Sequence, residues 1–139
     1  MGAETIEEPS GRGVGGLNAT LGIELLEPGD VDGRALFEVT DAVRQPFGLV
    51  HGGVYSAVAE TVASAMTYAA VAGDGMVAMG QSNSANFLRP ITEGHVHATG
   101  RVIHRGRTSW VWDVECAGDD GRVAAVVRVV IAVRPAPSG

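Results

Sequence analysis

The stretch from Gly52 to Ala72 carries a single charge, Glu60, among Ala, Val, Ser, Thr and Tyr, and Gly73-Asp74-Gly75 closes it. A segment so long and so poor in charge has two destinations, a bilayer or the interior of its own protein. Ser, Thr and Tyr recur along it and the carboxylate stands near its middle, so it is read as a helix buried by its own chain. Val54, Val58 and Val62 form a core stripe, while Ser56, Glu60, Ser64 and Tyr68 recur every fourth residue and stack on another face. After this helix the apolar period changes to two. Val77–Leu88, His95–His104, Ser109–Ala117 and Arg122–Val133 read as strands, with Asp119-Asp120-Gly121 a hairpin turn between the last two. Gly33–Thr40 alternates as a further strand, and Thr20–Leu26 fits a helix turn or an edge strand. The pattern predicts an α+β domain, one long helix with four or five antiparallel strands wrapped on it.

The 139 residues suit one domain, expected over 17–134 with tails at 1–16 and 135–139. The first tail is rich in Glu and Gly, and no basic segment leads into an apolar one, so no secretory signal is expected. The only cysteine, Cys116, rules out an intrachain disulfide and is compatible with a reducing, cytoplasmic location. A net charge of −6, with all ten basic residues Arg, excludes a general nucleic-acid binder. No membrane partner is expected either. The charge is uneven: Arg89, Arg101, Arg105 and Arg107 lie close together with only Glu93 to offset them. They read as a solvated strand face or as an anion-binding patch. His95, His97 and His104 fall on strands without metal-ligand spacing, so no metal is expected, and Trp110 and Trp112 share a packing face.

The segment Gln45 to Ser64, QPFGLVHGGVYSAVAETVAS, carries the chemistry. His51-Gly52-Gly53 lies where a loop enters the helix. Glycine there lets a ligand approach the backbone, and first-turn N–H groups lack intrahelical partners. Such a helix start suits a carbonyl oxygen acquiring negative charge. Glu60 is expected to be buried, with a raised pKa, and therefore to need a partner or a task. Gly52 and Glu60 are about 12 Å apart along a helix axis and cannot serve one carbonyl from one chain. Two antiparallel helices about a two-fold axis would bring them together, which requires at least a dimer.

These residues resemble the hotdog-fold acyl-CoA thioesterases of the phenylacetate-pathway type, including the Arthrobacter-type 4-hydroxybenzoyl-CoA thioesterases. The resemblance rests on Gln45, Gly48, His51-Gly52-Gly53 and Glu60, then on Asn86-Phe87-Leu88-Arg89-Pro90 and Gly100 to Arg107. It implies a hotdog fold, a long central helix wrapped by five to six antiparallel strands. It implies hydrolysis of an aryl- or fatty-acyl-CoA to free acid and coenzyme A, with no other cofactor. Gly52 would supply the oxyanion N–H, Glu60 the nucleophile or general base, and Gln45 the orientation of thioester or water. Ser64 would lie near the acyl group and His51 would hold the loop. Arg89, Arg105, Arg107, Thr108 and Ser109 become candidate coenzyme A contacts. The resemblance further implies a homodimer with shared sites, paired into a homotetramer. The alternatives are a non-catalytic acyl-CoA-binding module, which would not need Gln45, Gly52 and Glu60 together, and a hotdog hydratase or dehydratase.

Overall fold

The computed structural model describes residues 16–138. Helix α1 (Gly16–Leu21) leads into β1 (Glu24–Leu26) and β2 (Gly33–Glu38), and the long helix α2 (Gly52–Val71) follows. Strands β3 (Met76–Phe87), β4 (His95–Arg105), β5 (Ser109–Ala117) and β6 (Val123–Pro135) complete the chain. All six strands form one curled antiparallel sheet in the order β1-β2-β4-β5-β6-β3. Thr20–Leu26 is divided between its two readings, helix to Leu21 and strand from Glu24. Of the tail expected at 1–16 only Gly16 is described, where it opens α1; the rest lies outside the described residues. At the other end β6 continues to Pro135, which pairs with Met76.

Period two sorts each strand into an inner and an outer face. Val96 and Ala98 of β4, Trp112, Val114 and Cys116 of β5, and Val127, Val129 and Ile131 of β6 are buried on the inner face. Helix α2 lays Val54, Val58 and Val62 across them, so the predicted stripe is the core stripe. Its seat is a glycine pair. Gly33 and Gly100 are cross-strand partners, and a Cβ on either would stand 2.6 Å or 2.9 Å from Val62 Cγ1. Without side chains they leave a depression that Val62 fills. Trp112 Nε1–H donates to Thr67 Oγ1 at 2.9 Å, tying helix to sheet inside the core. The β5–β6 turn closes as expected. Gly121 N–H donates to Gly118 O at 3.0 Å, with Gly121 at φ 78°, a region glycine favours.

The two sheet edges differ. β1 is three residues long, whereas β3 runs for twelve, pairs with β6 on one side and has no partner strand on the other among the described residues. Met79 to Ser84 are exposed. An edge of that length is a template for another strand unless something covers it. No helix among the described residues is long and apolar enough to cross a membrane.

Candidate active site

The loop before α2 is held by backbone bonds. His51 N–H donates to Val43 O at 2.8 Å, Val50 N–H to Ile91 O at 2.9 Å, and Gln45 N–H to Leu49 O at 2.8 Å. Gly48, at φ 92°, closes the turn by donating its N–H to Gln45 O at 2.9 Å. The Gln45 side chain accepts from Phe47 N–H through Oε1. His51 is the N-cap of α2: its Nδ1 accepts from Gly53 N–H at 2.9 Å. That geometry places the proton of the neutral ring on Nε2. Gly52, the first helical residue, has no carbonyl within the helix to bond. It lines a cleft of ≈580 Å³ together with Gln45, Tyr55, Phe87 and Arg89. A Cβ on Gly52 would stand 2.6 Å from Phe87 Cζ, so the aromatic ring lies directly on the helix start.

Three contacts run down one face of α2 along the open strand β3. Gly52 meets Phe87, Asn83 Nδ2–H donates to Ser56 O at 3.0 Å, and Glu60 lies against Gly80. The helix therefore runs antiparallel to β3, and the predicted face of Ser56, Glu60 and Ser64 follows the sheet's unpaired edge. Ser56 and Ser64, one turn before and after Glu60, are half-buried. Glu60 itself is exposed within a single chain, which corrects the expectation that it is buried. The reason is its place in the sheet order: Gly80 beneath it has no side chain, and no strand lies beyond β3 among the described residues. Glu60 makes no hydrogen bond or ion pair among the described residues and is not part of the Gln45–Gly52 cleft.

The other reactive groups near the helix are quiet. Burial pushes the Cys116 thiol up to about 12, so it is a poor nucleophile at neutral pH. Tyr55, packed on Phe87 with ring centroids 5.9 Å apart, is pushed up to about 12 by burial and by nearby Cys116. Its buried hydroxyl has no hydrogen-bond partner among the described residues. Tyr55 and Phe87 are cleft residues that the sequence reading did not assign. Phe87 could have been found, because it stands inside the Asn86–Pro90 motif.

The five proposed coenzyme A contacts do not form one site within one chain. Arg89 lines the cleft, with its N–H on Ala124 O at 3.3 Å, near the far end of β5. Arg105, Arg107, Thr108 and Ser109 sit at the β4–β5 turn, the length of β5 away, about 27 Å. Arg105 already has partners, Asp32 at 3.4 Å and the Trp110 ring at 4.6 Å. Trp110 and Trp112 are both buried packing residues. On the outer face, His97 Nε2 meets Asp119 Oδ1 at 2.7 Å, and this bond, with His95 N–H on Oδ2, holds the Asp119 carboxyl below its ordinary value. No group of three or more His, Cys, Asp and Glu among the described residues is arranged to hold a metal.

Residues 47–125 match the family model of the Thioesterase superfamily. Among curated proteins the chain is 35% identical to the proofreading thioesterase EntH of Cronobacter turicensis, covering 93% of both. It is 34% identical to a 1,4-dihydroxy-2-naphthoyl-CoA hydrolase of Listeria monocytogenes, over 86% of this chain and 96% of that one. Its fold matches the crystal structure of a mutant of thioesterase PA1618 from Pseudomonas aeruginosa, with a TM-score of 0.82, 36% identity and 86% of each chain covered. The chain belongs to the Thioesterase superfamily, enzymes of hotdog fold that hydrolyse thioesters.

Proposed function

We propose that this protein hydrolyses an aryl- or fatty-acyl-CoA, with the Gly52 N–H as oxyanion donor and Glu60 as nucleophile or general base. The carrying observation is the division of the site along one helix face. Gln45 and Gly52 share a cleft at the helix start, while Glu60 stands two turns further on over an open edge strand. A second copy pairing through β3 about a two-fold axis would set its Glu60 beside this Gly52 and cover both. The unsatisfied Gly52 N–H, reinforced by the helix dipole, would then face the oxygen that gains charge. Gln45, fixed by its bond from Phe47, would orient the thioester or the attacking water. The coenzyme A names among the relatives support the acyl-CoA class. The same two-fold arrangement turns the β4–β5 turn of the second copy toward the end of the sheet that bears the cleft. Arg89 and the group Arg105, Arg107, Thr108 and Ser109 would then serve one coenzyme A from two chains.

Thiol release from a panel of aryl- and fatty-acyl-CoAs, with Glu60→Gln alongside, tests this reading. The wild type releases thiol, and Glu60→Gln loses kcat by several orders of magnitude while still binding acyl-CoA. Tight binding without thiol release by the wild type would make the chain a binding module. A near-wild-type rate for Glu60→Gln would remove Glu60 from the mechanism.

A further inference from the structure

We propose that Gly80 is a positioning residue for Glu60, and that the β-bulge beside it exists to seat the carboxylate against the backbone of β3. The inference rests on the reading of Glu60 as the reacting carboxylate. An ideal Cβ on Gly80 would overlap Glu60 Oε1 and stand 3.1 Å from its Cδ and 3.4 Å from its Cγ. The whole end of the side chain therefore lies in the space that glycine leaves. The backbone is irregular at the same place. Gly80 pairs with Ile131 and Ser82 with Val130, which leaves Gln81 as an extra residue without a partner on β6. A bulge bends and twists its strand locally and changes where the strand backbone stands. Two residues past the bulge, Asn83 Nδ2–H holds Ser56 O at 3.0 Å, one helical turn before Glu60.

Gly80 has φ outside the left-handed region, so backbone conformation does not call for glycine there. Space does. Glutamate has three side-chain torsions, and an exposed one on a helix samples several rotamers. Here the Asn83 tether sets the distance between helix and strand, and the glycine admits the carboxylate to the strand surface. Reaction needs the attacking oxygen near its target before the barrier is climbed, and a displacement of an ångström is costly. The device acts on orientation of the carboxylate, so its loss falls on kcat.

The test is a cycle on the purified oligomer with Gly80→Ala, Glu60→Asp and the double variant, read by thiol release and by thermal melting. Gly80→Ala is expected to lose about 10- to 100-fold in kcat with KM unchanged. Glu60→Asp shortens the side chain by one methylene and makes room for the alanine methyl, so Gly80→Ala should cost less kcat in that background. Wild-type kcat in Gly80→Ala, or an equal loss in both backgrounds, would overturn the proposal. If Gly80→Ala fails to fold, Gly80→Ala combined with Glu60→Ala decides. Recovery of a folded oligomer shows that the conflict is with Glu60, and continued misfolding overturns the proposal. Glu60→Gln keeps the two readings apart. If it retains wild-type turnover, the catalytic reading of Glu60 fails; if it is inactive and the cycle shows no coupling, only the role of Gly80 fails.

Discussion

His51 joins the fold to the proposed chemistry through a single atom. Its Nδ1 fixes the Gly53 N–H at 2.9 Å, while the neighbouring Gly52 N–H has no partner among the described residues. Replacing it by Ala should cost about 1 kcal/mol, the ordinary worth of an N-cap, measured by urea unfolding. If the Gly52 N–H serves the oxyanion as proposed, the same variant should also lose kcat, because the helix start that aims this N–H loses its cap. Wild-type kcat in His51→Ala would show that the cap does no more than start the helix. On the outer face, Asp119 makes a prediction of opposite kind, at a residue that does not line the cleft. Its pKa is lowered in the fold, chiefly by the bond from His97 and by His95 N–H. The carboxylate therefore contributes stability that is present above the unfolded value of about 3.9 and is lost as pH falls through the lowered folded value. Melting temperature against pH should show a shallower acid limb in Asp119→Asn, with activity unchanged at neutral pH; superimposable limbs would show that the pair contributes nothing.

The elements were legible wherever a period runs long enough to count. Gly52–Ala72 reads as a helix and is one to Val71, and the four downstream strands fall within a few residues of the observed ones. The seat that positions the helix was not legible. Gly33 and Gly100 are far apart in the chain, and nothing local to either reveals that they face each other beneath Val62. The exposure of Glu60 escaped for a related reason. A low-charge helix reads as buried all round, but burial of one face depends on sheet order, and β3 happens to be the last strand. The candidate site residues on the loop and helix were legible as a motif, whereas Tyr55 belongs neither to the Val54, Val58 and Val62 stripe nor to the motif residues, so nothing in the sequence marked it. At this scale the Thr67–Trp112 bond is the contact to test. Thr67→Val keeps the shape and leaves the Trp112 indole N–H buried without an acceptor, at about 1–3 kcal/mol. Urea unfolding should report that loss, with the melt still cooperative. An unchanged midpoint would mean that the indole finds another acceptor or none is needed.

One chain carries every residue that the proposed chemistry needs and yet holds them apart. Gln45 and Gly52 open onto the cleft at one end of α2, while Glu60 lies on Gly80 beside an edge strand of twelve residues with no strand beyond it among the described residues. A long, open edge is normally blunted by charge, proline, a bulge or a covering element. β3 from Met79 to Ser84 has neither charge nor proline among its own residues, Met, Gly, Gln, Ser, Asn and Ser, and only the bulge at Gln81 interrupts it. The whole-molecule prediction follows from that edge. If two copies pair through β3, each site takes Gln45 and Gly52 from one chain and Glu60 from the other. Glu60→Gln and Gln45→Ala are then each inactive alone, but a heterodimer of the two holds one site with both residues intact and one with neither. Mixed in equal amounts and allowed to exchange, the pair should recover about one quarter of wild-type activity per chain, since half the dimers are mixed and half their sites are whole. Native mass spectrometry checks that exchange has occurred. If mixed dimers form and no activity returns, each site is built within a single chain, and the distance between Gly52 and Glu60 must be closed by movement of the helix rather than by a second copy.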